Sequence, residues 1–318
     1  MTPPLALAVD FGGTKVESAL VTAEGEVVPE SRHRAPTGRE ATSEQLQASV
    51  REVMEAALSR VERGDAAYGL AGVGIGCAGP IDRARGLVSP LNVPAWRDFD
   101  LRSFAESVLA ENELGVPVTL EMDGVAITMA EHWVGAAQGV DNVMGMVVST
   151  GIGGGLIVGG RVITGPTGNA GHIGHVEVAG FEGEDTFGKA TSLEAIASGP
   201  HTVAWARRQG FPGATGEALA AAYAAGDPVA RAAIERTGHA VGQAIASATA
   251  LLDLELVAIG GGFSQATPDL FDVINETIAQ HYFGFVRKVR VVPSGLSGEG
   301  PLIGAAALVH RAELLPPL

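Results

Sequence analysis

The chain has 318 residues, 46% of them hydrophobic and 18% charged, so it can bury a substantial core and is not a disordered protein. A formal charge of −15, without any block of basic residues, argues against nucleic acid as a partner. A single cysteine, Cys77, excludes an intrachain disulfide and any zinc site built from two or more cysteines, and it fits a reducing cytosol.

No segment has the pattern of a targeting or membrane-spanning sequence. The N-terminal apolar run follows no basic region and is broken at Asp10, and no apolar stretch reaches 18 residues. The sequence therefore predicts a cytoplasmic protein without a membrane partner. Its length suits two domains of medium size.

The first half of the chain alternates strand and helix patterns. Residues 5–9 predict a strand, which the glycine turn DFGGTK and further strand-like residues follow. A helical pattern then begins at Ser43, the predicted N-cap, and ends at Gly64. After a buried strand that runs into GCAGPID, helices at 101–113 and 124–138 flank the strand VPVTLEMD. This alternation predicts a largely parallel α/β layer.

The second half opens with another strand, glycine turn and strand, in NVMGMVVSTGIGGGLIVGGRVI. Helical patterns follow at 192–209, 227–252, 268–281 and 301–313, and the strands LELVAIGGGF and VRVVP lie among them. The two halves thus share one supersecondary unit, a glycine hairpin between two strands.

Equivalent glycine hairpins in the two halves suit the binding of a polyphosphate, whose oxygens accept from main-chain N–H groups that glycine exposes closely. DFGGTK is not a Walker P-loop, because the spacing GxxxxGK[ST] is absent, and by itself it could be an ordinary hairpin turn. With the second hairpin and the glycines of IGGGF after a buried strand, nucleotide binding becomes the favoured interpretation.

Five motifs occur in the order and spacing of a known family: AVDFGGTKVESALV, GVGIGCAGPID, VVSTGIGGGLIVGGRVITGPTGNAGHIGHVEV, LEAIASG and AIGGGFS. Over nearly the whole chain the sequence resembles the ROK proteins (repressor, open reading frame, kinase). The resemblance implies an α/β fold of the actin-like ATPase (ribonuclease H-like) type, with two α/β domains flanking a cleft where ATP and Mg²⁺ meet a sugar. The expected domains are a smaller one, 1–120 with the terminal helix 301–318 packed back on it, and a larger one, 121–300.

The resemblance also implies where ATP binds. Asp10 is expected to help hold Mg²⁺, and Lys15 to face the phosphates with its hairpin neighbours. The expected ATP-binding residues are Asp10, Gly12, Gly13, Thr14, Lys15, Thr150, Gly151, Gly153, Gly261 and Gly262.

Asp123 lies between a strand and a helix, so its residue type alone favours an N-cap role. The resemblance implies instead that Asp123 is the general base, which accepts the proton of the substrate hydroxyl. The family pattern Glu-Asn-Asp reads Glu121-Met122-Asp123 here, so the amide that contacts the sugar is missing.

The resemblance implies a set of substrate-binding residues: Gly79, Asn92, Met122, His172, His175 and Glu194. Taken alone, Asn92 is typical of a turn and Glu194 of the first turn of a helix. The family usually has glutamate in place of His172, and this difference predicts an altered sugar preference.

The two histidines of GHIGH raise the question of a metal site. Their spacing of three among glycines does not fit the helical H-E-x-x-H pattern of zinc peptidases. In most ROK proteins the residue equivalent to His175 joins three cysteines around a structural zinc ion, but here EGEDTFGKATS replaces the cysteine run. We therefore expect no structural zinc, and we expect the acidic run 182–185 to be a solvated loop.

The sequence thus predicts a glucokinase-like sugar kinase that uses ATP and Mg²⁺ to phosphorylate a hexose at its primary hydroxyl, and that forms a homodimer. An N-acetylhexosamine, another hexose or a cyclitol is the alternative substrate, and polyphosphate the alternative donor. A non-catalytic binder of sugar or nucleotide is one rival. A sugar-responsive repressor is the other, which the acidic charge and the early position of DFGGTK disfavour.

Overall fold

The computed structural model describes residues 4–61, 69–181 and 191–317, whose strands form two five-stranded sheets and one small three-stranded sheet. The strands are β1 (Leu5–Phe11), β2 (Lys15–Val21), β3 (His33–Pro36), β4 (Leu70–Cys77), β5 (Ile81–Asp82), β6 (Leu87–Val88), β7 (Phe99–Asp100), β8 (Val118–Met122), β9 (Val143–Val148), β10 (Ile152–Val158), β11 (Arg161–Ile163), β12 (Leu256–Gly260) and β13 (Arg290–Pro293).

The two large sheets have the same topology. The first has the order β3-β2-β1-β4-β8 and the second the order β11-β10-β9-β12-β13. In each sheet the central strand, β1 or β9, pairs antiparallel with its hairpin partner and parallel with a later strand. The two predicted glycine hairpins therefore occupy equivalent places. The division into two domains remains a prediction.

The helices largely match the predicted positions. They are α1 (Ser43–Leu58), α2 (Leu101–Glu111), α3 (Asp123–Val134), α4 (Leu193–Ala197), α5 (Gly199–Arg208), α6 (Gly216–Ala224), α7 (Pro228–Leu252), α8 (Asp269–Ala279) and α9 (Gly300–His310). The short helix α6 is absent from the predictions. None of the helices in the described ranges is both long and apolar enough to cross a bilayer.

Three predicted helix boundaries are wrong. Thr42, not Ser43, is the N-cap of α1, because the side chains and backbone N–H groups of Thr42 and Gln45 bond each other reciprocally. The predicted helix 192–209 is interrupted at Ser198, whose backbone is extended. Helix α3 ends at Val134, before the predicted boundary. The predicted C′ residue of α1, Gly64, lies outside the described residues.

Helices α3 and α9 pack on each other between the large sheets, with α9 on β1 and β4 and α3 on β9 and β10. Glycine permits this close packing at two backbone contacts. A Cβ on Gly124 of α3 would overlap the carbonyl group of Gly154 in β10, and a Cβ on Gly74 of β4 would overlap that of Ala305 in α9. The dense middle layer places the start of α3 beside the strands that carry the two hairpins.

The small sheet β5-β6-β7 lies in a stretch that the sequence predicts as a loop. Trp96 anchors it, since its buried ring stacks on Phe11 of β1 and on Phe99 of β7 with ring centroids 4.6 and 4.1 Å apart. The indole N–H donates to the Ser43 hydroxyl over 3.1 Å. The loop that carries Asn92 is therefore fixed against the first large sheet.

Candidate active site

The turn between β1 and β2 presents backbone to solvent. The N–H of Gly12 donates to the carbonyl of Lys15 over 2.9 Å, and this bond closes the turn. Gly12 and Gly13 are partly exposed and Thr14 is exposed. A Cβ on Gly13 would lie 2.8 Å from the Cβ of Asn92, so the exposed Asn92 packs directly on the turn. Asn92 thus lies beside the expected phosphate loop.

Two carboxylates, Asp10 and Asp123, lie close together behind this turn. Asp10 is paired in register with Gly76 of β4, and a Cβ on Gly76 would lie 3.7 Å from the Cα of Asp123. Burial and the charge of Asp123 raise the pKa of Asp10 to about 7, and the charge of Lys15 opposes this rise. Burial also raises the pKa of Asp123 to about 6. Both groups therefore titrate near neutral pH.

Asp123 is not the N-cap that its residue type suggests. Met122 occupies the N-cap position of α3, and Asp123 is the first helical residue. Its Oδ1 accepts from the N–H of the next residue, Gly124, over 2.7 Å, which opposes the rise of the Asp123 pKa. The carboxylate of Asp123 is thus partly buried at the start of a helix, where a base could receive a proton.

The second hairpin turns tightly between β9 and β10. The N–H of Ser149 donates to the carbonyl of Gly151 over 2.9 Å, and a Cβ on Gly153 would meet no atom within 4 Å. Glu194 of α4 reaches this turn, because its Oε2 accepts from the N–H of Ile152 over 2.8 Å. Glu194 therefore braces the predicted phosphate loop, a contact that the sequence analysis does not predict.

A cleft of about 640 Å³ adjoins the second hairpin, and Thr150, Gly199, Gly262 and Phe263 are among its lining residues. Two of the predicted ATP-binding residues, Thr150 and Gly262, thus share one cleft. Gly261 precedes it with a φ of +100°, and a Cβ there would lie 2.6 Å from the carbonyl oxygen of Val148. Only glycine fits this turn after β12.

Three of the predicted sugar-binding residues converge on one point. A Cβ on Gly79 would lie 2.9 Å from Nε2 of His172 and 3.2 Å from Sδ of Met122. His175 is exposed, and its ring centroid is 5.5 Å from that of His172. Burial and the neighbouring His175 lower the pKa of His172, so its imidazole is neutral at pH 7 and can both donate and accept. Met122 is only 1% exposed, and its side chain packs against Gly79.

Two hydrogen bonds between Asn169 and Ile81, called the Asn169 clasp below, are not predicted by the sequence. The side-chain amide of Asn169 accepts from the N–H of Ile81 over 2.9 Å and donates to the carbonyl of Ile81 over 2.7 Å. This pair of bonds ties the segment before His172 to the strand that follows Gly79. No local pattern could reveal it, because the partner of Asn169 is a distant backbone.

A charged cluster beside the first hairpin is also missed. The buried Glu17 binds Lys15, Arg32 and Arg34. The sequence does hold a partial signal for it, since Lys15 and Glu17 are two residues apart in β2, the spacing that places strand side chains on one face.

The run that replaces the family's zinc cysteines, together with the acidic stretch 182–185, falls largely outside the described residues. Within the described ranges, no three His, Cys, Asp or Glu side chains are grouped as metal ligands. Cys77 is buried in β4, and its thiol donates to the carbonyl of Ala78.

Comparison with known proteins places these features in a family. The ROK family matches residues 6–312. The glucokinase of Thermotoga maritima is 31% identical over 322 residues, which cover 96% of this chain and 97% of that protein. The N-acetylmannosamine kinase of Escherichia fergusonii is 30% identical over 308 residues, covering 97% and 99%.

The fold agrees with this match. A ROK family glucokinase from Streptomyces griseus, solved in complex with glucose and AMPPNP, superposes with a TM-score of 0.80 at 28% identity, covering 96% of this chain and 99% of that one. The predicted actin-like ATPase fold is thereby confirmed. The chain belongs to the ROK family.

Proposed function

We propose that the chain is an ATP-dependent sugar kinase that phosphorylates a glucose-like hexose at its primary hydroxyl. The observation that carries this proposal is the pair of partly buried carboxylates, Asp10 and Asp123, next to the first glycine hairpin, with Gly154 of the second hairpin packed on Gly124 beside Asp123. The S. griseus glucokinase of the same fold, solved with glucose and an ATP analogue, supports it.

In this reaction the substrate hydroxyl oxygen attacks the γ-phosphorus of ATP. The bond from that phosphorus to the bridging oxygen breaks, and ADP leaves. Asp123 accepts the hydroxyl proton, which its pKa of about 6 allows at neutral pH. Backbone N–H groups of the hairpins and the ammonium of Lys15 would stabilise the phosphate charge.

Asp10 fits a magnesium ion. A carboxylate is a hard oxygen ligand of the kind that Mg²⁺ prefers, and Asp10 is crowded by the negative charge of Asp123, which a cation would offset. Bound with ATP, the ion would neutralise charge on the phosphates.

N-acetylmannosamine or a related N-acetylhexosamine is the second candidate substrate. The E. fergusonii relative supports it, and so do the thioether of Met122 and the neutral imidazole of His172 beside Gly79. With Met122 and His172, the proposed sugar-binding surface is less anionic than one with asparagine and glutamate at these positions. Another hexose or a cyclitol is a further candidate substrate for the same reason.

The test is sugar-dependent release of ADP across a panel of hexoses, N-acetylhexosamines and cyclitols, repeated with polyphosphate as donor. We expect turnover with one substrate class, and we expect Asp123→Asn to lower kcat by about 10²-fold or more through loss of the general base. Asp272→Asn on the exposed face of α8 is the matched control and should keep wild-type activity.

Three outcomes would contradict the proposal. Near-normal turnover of Asp123→Asn would show that Asp123 is not the general base. No turnover with any acceptor would favour a non-catalytic binder. A mobility shift with DNA at physiological salt would favour the repressor.

A further inference from the structure

Glu17 lies at the centre of a row of charged side chains on one face of the first large sheet. It is paired in register with Asp10 of β1 on one side and with Arg34 of β3 on the other. Directly opposed residues of neighbouring strands place their side chains on the same face. Lys15, two residues before Glu17 on β2, shares that face.

The two carboxylate oxygens of Glu17 have different partners. Oε1 accepts from both guanidinium groups, over 3.2 and 3.0 Å from Nε and Nη2 of Arg32 and over 2.9 Å from Nε of Arg34. Oε2 accepts from the ammonium of Lys15. The arginines therefore hold one oxygen independently of Lys15, and the other oxygen is left to hold the lysine.

Burial explains why three cations surround one anion. Glu17 is 2% exposed, and an uncompensated carboxylate there would be costly. Burial alone would raise the pKa of Glu17, and the bonds from Lys15, Arg34 and Arg32 outweigh that effect and lower it. Glu17 is thus an anion at neutral pH, and the cluster as a whole carries excess positive charge.

The excess positive charge of the cluster lies next to the proposed phosphate loop. Lys15 directly follows the glycine turn, and its charge reaches Asp10, since Lys15 and Arg32 both oppose the rise of the Asp10 pKa. A single bond to a well-anchored carboxylate would hold a flexible lysine side chain next to the turn and reduce the conformational entropy lost when it meets phosphate.

We propose that Glu17 is a positioning residue that holds the Lys15 ammonium beside the phosphate loop, where its other N–H groups can donate to the ATP phosphates, and that Arg32 and Arg34 anchor Glu17. The inference rests on the proposed function only as far as ATP binding, since it requires no transfer step. Glu17 contacts neither substrate in this scheme and acts through Lys15.

A double-mutant cycle tests this dependence. Calorimetry gives the Kd of a nonhydrolysable ATP analogue with Mg²⁺ for the wild type, Glu17→Gln, Lys15→Met and the double variant. We expect Glu17→Gln to raise Kd about 5- to 10-fold in the Lys15 background and less than about 2-fold in the Lys15→Met background. Glu111→Gln, which breaks an exposed ion pair with Arg51, is the matched control and should leave Kd unchanged.

An equal rise of Kd in both backgrounds would overturn the proposal, because Glu17 would then act without Lys15. If Glu17→Gln does not fold, the same cycle with Arg34→Gln keeps the carboxylate and removes one anchor. A Kd for Arg34→Gln that again rises equally in both backgrounds would also overturn it. Because the readout is binding, a wild type that binds the analogue but phosphorylates no sugar refutes the proposed function and leaves this test intact.

Discussion

At the scale of single residues, the proposed chemistry rests on two carboxylates whose surroundings disfavour their charge. Burial raises the pKa values of Asp10 and Asp123 to about 7 and about 6, well above the ordinary 3.8, and the charge of Asp123 adds to the rise at Asp10. Groups perturbed in this way cluster at functional sites. A base that titrates near neutral pH also suits the removal of a hydroxyl proton.

This predicts the pH dependence of the reaction. In the proposed reaction both carboxylates must be ionised, so kcat/KM for ATP should fall as pH drops below about 7 and fall more steeply below about 6. Initial rates from pH 5 to 9 check this, and recovery of full activity on return to pH 8 controls for unfolding. A rate that stays constant down to pH 5 would contradict it.

The same pKa values have the opposite consequence for stability. Because the pKa is raised in the folded chain, the unfolded chain loses these protons first, and the two groups destabilise the fold increasingly as pH rises from about 4 through about 7. The Asp123→Asn variant should therefore melt at or above the wild-type temperature at pH 8. A much lower melting temperature would mean that its loss of activity reflects unfolding.

At the scale of elements, glycines have two separate uses in β10 and α3. Gly124 lets α3 touch β10, whereas the position of a Cβ on Gly153 is open space in the expected phosphate loop. The first is a packing requirement and the second a requirement for close approach of a ligand. Adding one methyl group at each site distinguishes the packing requirement from the ligand-binding requirement.

We expect Gly124→Ala to lower the free energy of unfolding by about 1–3 kcal/mol, the usual effect of overpacking. Gly153→Ala should keep the wild-type melting temperature and raise the Kd for ATP roughly tenfold or more, since a similar energy is then lost from binding. Gly115→Ala, at an exposed position with no atom near its Cβ, is the control for both. A Gly153→Ala variant that binds ATP normally would show that the phosphates do not approach this strand.

At the scale of the whole molecule, the chain holds its fold without the cysteines that bind structural zinc in most of its family. Its one cysteine is buried in β4, and burial raises the pKa of that thiol, so Cys77 stays protonated and is a poor metal ligand. The two large sheets are joined by the packing of α3 on α9, and the Asn169 clasp ties the segment after β11 to β5 of the small sheet.

We therefore expect elemental analysis of the purified protein to find well under one zinc ion per chain. Treatment with EDTA should leave the melting temperature unchanged, because no metal would contribute to folding. One zinc ion per chain that is retained through dialysis would contradict this expectation.

The sequence by itself determined most of the elements and both hairpins, but neither α6 nor the small sheet. Short apolar runs, glycine turns and the helical spacing of 227–252 depend on local backbone preferences, which act within a few residues. The order of its motifs was enough to identify the family and the fold. The predicted cap at Ser43 was wrong because one side-chain contact decides where α1 begins, and the predicted helix 192–209 was wrong because one extended residue, Ser198, divides it.

Only the tertiary structure decided which of these pieces meet. Whether His172 packs on Gly79, Asn169 on Ile81 or Glu194 on the second hairpin depends on how two sheets and two helices pack together. The same holds for Glu17, whose pairing with the arginines needs the register of three strands. Such contacts join residues far apart in the chain, and their energies come from burial and close packing, which no local pattern records.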